Sequence, residues 1–198
     1  HRGFRADFAI TGAADISLRA LFAALDSRSP EADSRVTARR ARIEKAALAQ
    51  RPEWRLLLAS RSLSAPINSV WLSHCLDQVI DDDAVVLRES PLDLRFLERA
   101  NPRTLFGGAS GLGWGLGGAI GAKLARPDTL VVATEGDGAY MFANPVSAHY
   151  MAAALDLPFL TVIFNNERWQ SVARATQAMY PDGYAARSNA APLTHLQP

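Results

Sequence analysis

The hydrophobic pattern of the chain changes character near Pro66. Before it, Ile16, Leu18, Leu21, Phe22 and Leu25 fall mostly on one stripe at helical spacing, which predicts an amphipathic helix over Ile16–Leu25. The apolar run Ala6–Thr11 reads as a short strand, with a turn at Gly12–Asp15 between the two. After Pro66 a repeating order sets in. Ile67, Val70, Trp71, Cys75, Leu76 and Val79 form a second helical stripe, and Ala84–Leu87 follows as a continuously apolar strand. A polar stretch with Phe96 and Leu97 leads to Thr104–Phe106, then to a Gly-rich run, Gly107–Gly121, ending in a helix over Ala119–Ala125. Thr129–Thr134 and Pro158–Phe164 are further apolar strands, with a helix over Pro145–Leu155 between them and another expected over Trp169–Met179. Strands without polar alternation, separated by helices, predict an α/β fold with a parallel sheet covered on both faces. In such sheets ligands bind at the carboxyl ends of strands. Chemistry is therefore expected just after Leu87, Thr134 and Phe164.

A polar connector with Ser27, Ser29 and Pro30 marks a boundary, and Val36–Gln50 reads as a helix in the stretch that follows. Arg28–Arg55 holds 8 basic and 4 acidic residues, a balance that suits a solvated linker helix better than a nucleic-acid contact. Three parts result: 1–27, a linker with a basic helix over 28–65, and a main domain over 66–198. With 48% hydrophobic and 21% charged residues among 198, a sizeable core can be buried and bulk disorder is excluded. The net charge of +1 offers no global footprint for nucleic acid or an anionic membrane. The single Cys75 excludes a disulfide scaffold and any cysteine-built metal or redox site. No apolar run reaches the roughly 18 residues of a membrane span, and His1–Arg5 lacks the apolar region of a signal peptide. A cytoplasmic protein with neither nucleic acid nor membrane as partner is expected. The chain opens without Met and stops at Gln197-Pro198 without a closing helix, so a fragment with an incomplete C-terminus is expected.

The strand ends carry two short motifs. Glu135-Gly136-Asp137-Gly138-Ala139-Tyr140 follows Thr134, and Asn165-Asn166-Glu167-Arg168 follows Phe164. The 26 residues between Gly138 and Asn165 accommodate a loop, a crossover helix and a return strand. A right-handed crossover commonly brings two such strands side by side. Asp137 and the Asn pair would then meet at one edge of the sheet. One carboxylate and one amide oxygen suit Mg²⁺ or Ca²⁺ when backbone, water and phosphate oxygens complete the coordination. Gly136 and Gly138 let the backbone approach a phosphate, and the following helix points free N–H groups at it. The combination predicts a metal-bridged diphosphate.

This spacing resembles the thiamine-diphosphate signature of the acetolactate synthase and 2-keto acid decarboxylase superfamily. Gly111-Leu112-Gly113-Trp114-Gly115-Leu116-Gly117-Gly118-Ala119-Ile120-Gly121-Ala122 resembles that family's Gly-rich approach to the cofactor. Leu87-Arg88-Glu89-Ser90 resembles the strand end that begins its diphosphate-binding domain, and Thr11–Leu25 the last strand and helix of its Rossmann-like central domain. The resemblance implies that Asp137, Asn166 and the main-chain oxygen of Arg168 are metal ligands. It implies diphosphate contacts from backbone N–H groups around Gly138, Ala139 and Tyr140, beside Gly136. Leu112 would sit beneath the cofactor and impose its bent shape, with the Ser110 carbonyl accepting from the cofactor's amino group. Glu89 and Ser90 are cofactor-binding candidates at the first strand end. Pro91 and Leu94 stand where benzoylformate-type decarboxylases offer hydroxyls, so Ser90 alone remains and a structural role for Glu89 stays open. Gly117 stands where many members have Pro. No catalytic residue is assigned in this chain, because the family's activating glutamate belongs to a pyrimidine-binding domain that nothing here matches.

The implied function is decarboxylation of a 2-keto acid with carboligation, dependent on thiamine diphosphate and Mg²⁺. This chain would supply the diphosphate half of the site, and a homodimer or homotetramer would bring the pyrimidine-binding domain from a second subunit. A non-ligating decarboxylase of the benzoylformate type is the alternative. A non-catalytic thiamine-diphosphate-binding module, or one subunit of a split enzyme, is the alternative of another class. Nothing in these residues indicates FAD. Gly113-x-Gly115-x-x-Gly118, with Glu135 downstream, formally matches a dinucleotide fingerprint, but no strand directly precedes it. His74 reads as a packed or surface residue, His149 lies on the crossover helix, and His195 has no assigned role. Trp169, Gln170 and Tyr180 are candidates for a substrate pocket, with core packing or a subunit contact as the plainer reading for Trp169. Met179–Tyr184 reads as a turn.

Overall fold

The computed structural model describes residues 5–27, 30–89, 91–107 and 111–188. Ser90 and Ser110 of the expected site, and His195, lie outside the described residues. The chain divides into two compact units, His1–Arg55 and Leu56–Pro198.

In the first unit α1 spans Ala14–Asp26; α2, Pro30–Arg61, continues through Pro52 and ends past the unit's last residue. No residue of α1 is buried, and the apolar stripe predicted from its spacing is exposed. The expected strand Ala6–Thr11 does not form, although the helix after it does. A strand needs a ladder partner for its backbone groups, and none pairs with this segment among the described residues. Phe8 and Ile10 accordingly stand 93% and 80% exposed.

The second unit is built on a parallel sheet of β1 (Val85–Arg88), β2 (Leu105–Gly107), β3 (Val131–Gly136) and β4 (Leu160–Phe164), in the order β2-β1-β3-β4. The helices are α3 (Ser69–Val79), α4 (Trp114–Ala125), α5 (Asp137–Phe142), α6 (Pro145–Ala154), α7 (Gln170–Met179) and α8 (Tyr184–Ser188). Successive strand residues point to opposite faces, and the core divides accordingly. Val86 and Val132 pack with Leu76, Ile80, Leu92 and Leu97 on the α3 side. Val85, Leu87, Val131 and Ala133 pack with Leu116 and Ala119 of α4 on the other. Both faces are covered at β1 and β3, which is why these strands carry no polar alternation, whereas β2 and β4 are mostly half-buried or exposed.

The α4 helix starts at Trp114, earlier than its apolar spacing predicts. Asn68 caps α3 by accepting from the Val70 amide at 3.0 Å. Among the described residues no helix is long and apolar enough to cross a membrane.

Candidate functional site

The register sets the site. Arg88 pairs with Thr134, and Gly136 pairs with Phe164, so β1, β3 and β4 end at nearly one level. The next residues, Glu89, Asp137 and Asn165, therefore line one edge of the sheet. They border a cleft of about 900 Å³, lined also by Leu112, Gly136, Gly138, Ala139, Asn166, Arg168, Trp169 and Gln170.

Two contacts join the motifs after β3 and β4. The Arg168 amide donates to Asp137 Oδ2 at 3.0 Å. A Cβ on Gly138 would lie 2.8 Å from Cε3 of Trp169, so the absence of a side chain at Gly138 lets the Trp169 ring seat against the backbone. Gly136 differs: a Cβ there would meet nothing within 4 Å, so open space faces it. The sequence motif thus holds one glycine needed for packing and one facing room for a ligand.

The two asparagines have separate roles. Asn165 Oδ1 accepts from the Glu167 amide at 2.9 Å, closing a turn in which Glu167 has φ 55. Asn166 is exposed and has no such bond among the described residues, which leaves its amide oxygen for a ligand. Asp137 keeps Oδ1 uncommitted in the same way. Among the described residues no group of three or more His, Cys, Asp or Glu is placed to hold a metal. A set with one carboxylate, one amide oxygen and one main-chain oxygen fits a hard cation whose remaining charge comes from a bound diphosphate.

The amides of α5 begin immediately after Asp137. The first amides of a helix lack intrahelical acceptors, so with Gly136 as the cap of α5 those of Gly138 and Ala139 are available at this edge, while the Tyr140 amide, four residues past the cap, is the first that the helix itself engages. The Tyr140 side chain turns to other work: its hydroxyl lies 3.1 Å from Nε2 of His149, whose ring stacks on Phe159. His149 thus borders a smaller cavity with Leu157 and Phe159, not the cleft. His74 packs its ring 5.4 Å from that of Trp71. Trp169 and Gln170 line the cleft; Tyr180, at the end of α7, does not. The turn expected around Pro181 forms, with the Gly183 amide donating to the Tyr180 carbonyl at 3.0 Å.

The Gly-rich run is held from β1. Glu89 accepts through Oε1 from the Gly113 amide and through Oε2 from the Gly115 amide at 2.8 Å. Both oxygens are engaged by the turn, which is a structural role. The same contact disposes of the dinucleotide fingerprint, since a pyrophosphate would need those amides at the start of α4. Glu135, the fingerprint's ribose contact, is fully buried.

Glu135 is the residue whose chemistry sequence reasoning missed. It lies fully buried on β3, and among the described residues neither carboxylate oxygen reaches a partner in hydrogen-bond geometry, although the Glu89 carboxyl and the Leu116 backbone lie close enough to act on its proton. Burial first, and then the negative charge of Glu89, push its carboxyl up to about 8 from the ordinary 4.5. A Cβ on Gly115 would lie 2.0 Å from Glu135 Oε1 and 3.3 Å from Glu89 Oε2. The one signal in the sequence was an acidic residue inside an otherwise apolar strand.

The chain resembles known proteins. It is 37% identical over 95 residues to the mitochondrial acetolactate synthase catalytic subunit of Aspergillus candidus, covering 46% of this chain and 13% of that protein. It is 28% identical over 162 residues to the acetolactate synthase isozyme 1 large subunit of Escherichia coli, covering 74% and 28%. Benzoylformate decarboxylase of Pseudomonas aeruginosa is 30% identical over 106 residues, covering 51% and 20%. The fold matches that of the thiamine diphosphate-dependent 4-hydroxybenzoylformate decarboxylase of Rhodococcus jostii RHA1, with a TM-score of 0.57 and 23% identity over 69% of this chain and 25% of that one. The chain thus spans a little over a quarter, or less, of the length of these relatives. The family described as thiamine pyrophosphate enzyme, C-terminal TPP binding domain, matches residues 93–196, more than half of the chain and both strand-end motifs, and the chain belongs to that family.

Proposed function

We propose that this chain supplies the diphosphate half of a thiamine diphosphate site in an Mg²⁺-dependent enzyme that decarboxylates a 2-keto acid and joins the product to a second carbonyl compound. The observation that carries this reading is the hydrogen bond from the Arg168 amide to Asp137, which couples the two motifs at one sheet edge. The identity to acetolactate synthases supports the ligating reaction.

Asp137, Asn166 and the main-chain oxygen of Arg168 would hold Mg²⁺. Backbone amides of Gly138 and Ala139 would donate to the diphosphate, with Gly136 leaving room for it. Leu112, in the lining of the same cleft, would support the cofactor. Bound thiamine diphosphate supplies the nucleophilic carbon and the electron sink that 2-keto acid decarboxylation requires. The walls of the cleft would orient the cofactor toward the domain that completes the site. The activating glutamate would come from a pyrimidine-binding domain on a second subunit of a homodimer or homotetramer. In that arrangement 66–198 is the diphosphate-binding domain, 28–65 a linker, and 1–27 the tail of a central domain.

A non-ligating decarboxylase is the second reading, supported by the identity to benzoylformate decarboxylase. Pro91 and Leu94, standing where that type offers hydroxyls, weigh against it. The test is product analysis. The polypeptide carrying this chain is incubated with pyruvate or benzoylformate, thiamine diphosphate and Mg²⁺. Acetolactate formation supports the proposal, and aldehyde alone supports the second reading. A preparation that binds the cofactor but releases no carbon dioxide from any 2-keto acid would leave a non-catalytic binding module.

A further inference from the structure

Glu89 stands one position past β1, where its amide donates to the Thr134 carbonyl at 3.0 Å. It is therefore anchored to the central pair of strands. Its carboxylate takes the Gly113 and Gly115 amides at the start of α4. The helix has no side-chain cap from its own N-terminal residue, since Gly113 occupies that place in the left-handed region at φ 81. Glu89 does the capping from far upstream in the sequence.

The glycines it holds have no room elsewhere. A Cβ on Gly113 would lie 2.8 Å from the Ala143 backbone, and one on Gly115 would lie 2.0 Å from Glu135 Oε1. Just before them the situation reverses. A Cβ on Gly111 would meet nothing within 4 Å, and Leu112 is 46% exposed where it borders the cleft. The turn is fixed on its inner side, after Leu112, and open on its cleft side.

We propose that Glu89 is a positioning residue, which through Gly113 and Gly115 sets the place of Leu112 in the cleft that it lines together with Gly136–Ala139. The loss of turnover expected below rests on the thiamine diphosphate reading above; the clamp on the turn does not.

The experiment uses the full chain in the polypeptide that carries it, with Glu89→Gln, Leu112→Ala and the double variant. Gln keeps the length but replaces one acceptor oxygen with an NH₂ donor, so it cannot receive both amides. Amide hydrogen exchange, read without cofactor, should quicken about tenfold or more at Gly113 and Gly115 in Glu89→Gln, with Val132 unchanged. Leu112→Ala should leave both glycine amides as they are. With cofactor, each single variant should lower kcat more than it lowers thiamine diphosphate affinity. The double variant should lose no more turnover than the worse single variant, since both act on one position.

Unchanged exchange at Gly113 and Gly115 in Glu89→Gln overturns the clamp, and multiplicative losses in the double variant overturn action through Leu112. If Glu89→Gln does not fold, Glu89→Asp replaces it. Asp keeps the charge but is one carbon shorter, and faster exchange confined to the two glycines is again the supporting result. A wild-type protein that binds no thiamine diphosphate would end the proposed function, while the exchange measurement would still decide the clamp.

Discussion

Asp137 and Arg168 are held together by a 3.0 Å hydrogen bond from the Arg168 amide to Oδ2 of the Asp137 carboxylate. The bond fixes one oxygen of the sole carboxylate in the expected metal set and brings the main chain of Arg168 beside it. Parallel pairing of β3 with β4 sets this up, because Gly136 and Phe164 end their strands opposite each other.

The same junction depends on Gly138. In Gly138→Ala the new Cβ would fall 2.8 Å from the Trp169 ring, and the indole must move out of its seat. Overpacking of this kind costs about 1–3 kcal/mol. A lowered melting temperature with a shifted Trp fluorescence maximum is expected, and thermal unfolding followed by fluorescence checks it.

Asn165 and Asn166 should behave differently when replaced. Asn166→Ala should weaken Mg²⁺-dependent cofactor binding directly. Asn165→Ala should act mainly on the loop, by releasing the Glu167 amide from its 2.9 Å bond. Titrations at several Mg²⁺ concentrations separate the two, since excess Mg²⁺ offsets a lost metal ligand. Equal behaviour of the two variants would remove the distinction.

Much of this architecture was legible in the sequence. The strands β1 and β3 announced themselves as apolar runs because both faces of the sheet are covered there, and β4 read the same way although Leu160 and Ile163 are exposed. The motifs at their ends followed from strand placement alone. Ala6–Thr11 misled because an apolar run forms a strand only where a neighbour accepts its hydrogen bonds. The start of α4 was hidden for a different reason. Glycines disfavour helix locally, and the carboxylate that caps them lies in Glu89, across the fold. Glu135 was hidden too, since no local pattern reveals that its carboxylate is buried against Gly115.

That packing makes Gly115→Ala severe. Its Cβ would overlap the Glu135 carboxylate, so a loss of about 1–3 kcal/mol or more is expected. Adding Glu135→Ala opens the space and should recover part of it, giving a non-additive pair. Denaturant unfolding of the single and double variants measures the coupling. Strict additivity would contradict the contact.

Glu135 also predicts a pH dependence in the protein free of metal and cofactor. Its carboxyl is raised in the folded state to about 8, against an ordinary value of 4.5. In that interval the folded chain keeps a proton that the unfolded chain releases, so this group's contribution to stability falls as pH rises from about 4.5 to about 8 and levels off above. Glu135→Gln removes the titrating group and should flatten that decline. Denaturation midpoints across the interval check it, and equal slopes in the two proteins would contradict the assignment.

The most direct test of the central claim is calorimetric titration of the polypeptide carrying this chain with thiamine diphosphate, with Mg²⁺ and with a chelator, in wild type and Asp137→Ala. The account predicts saturable binding by the wild type in Mg²⁺, abolished by the chelator and by the substitution. Binding that is undiminished in Asp137→Ala would contradict it.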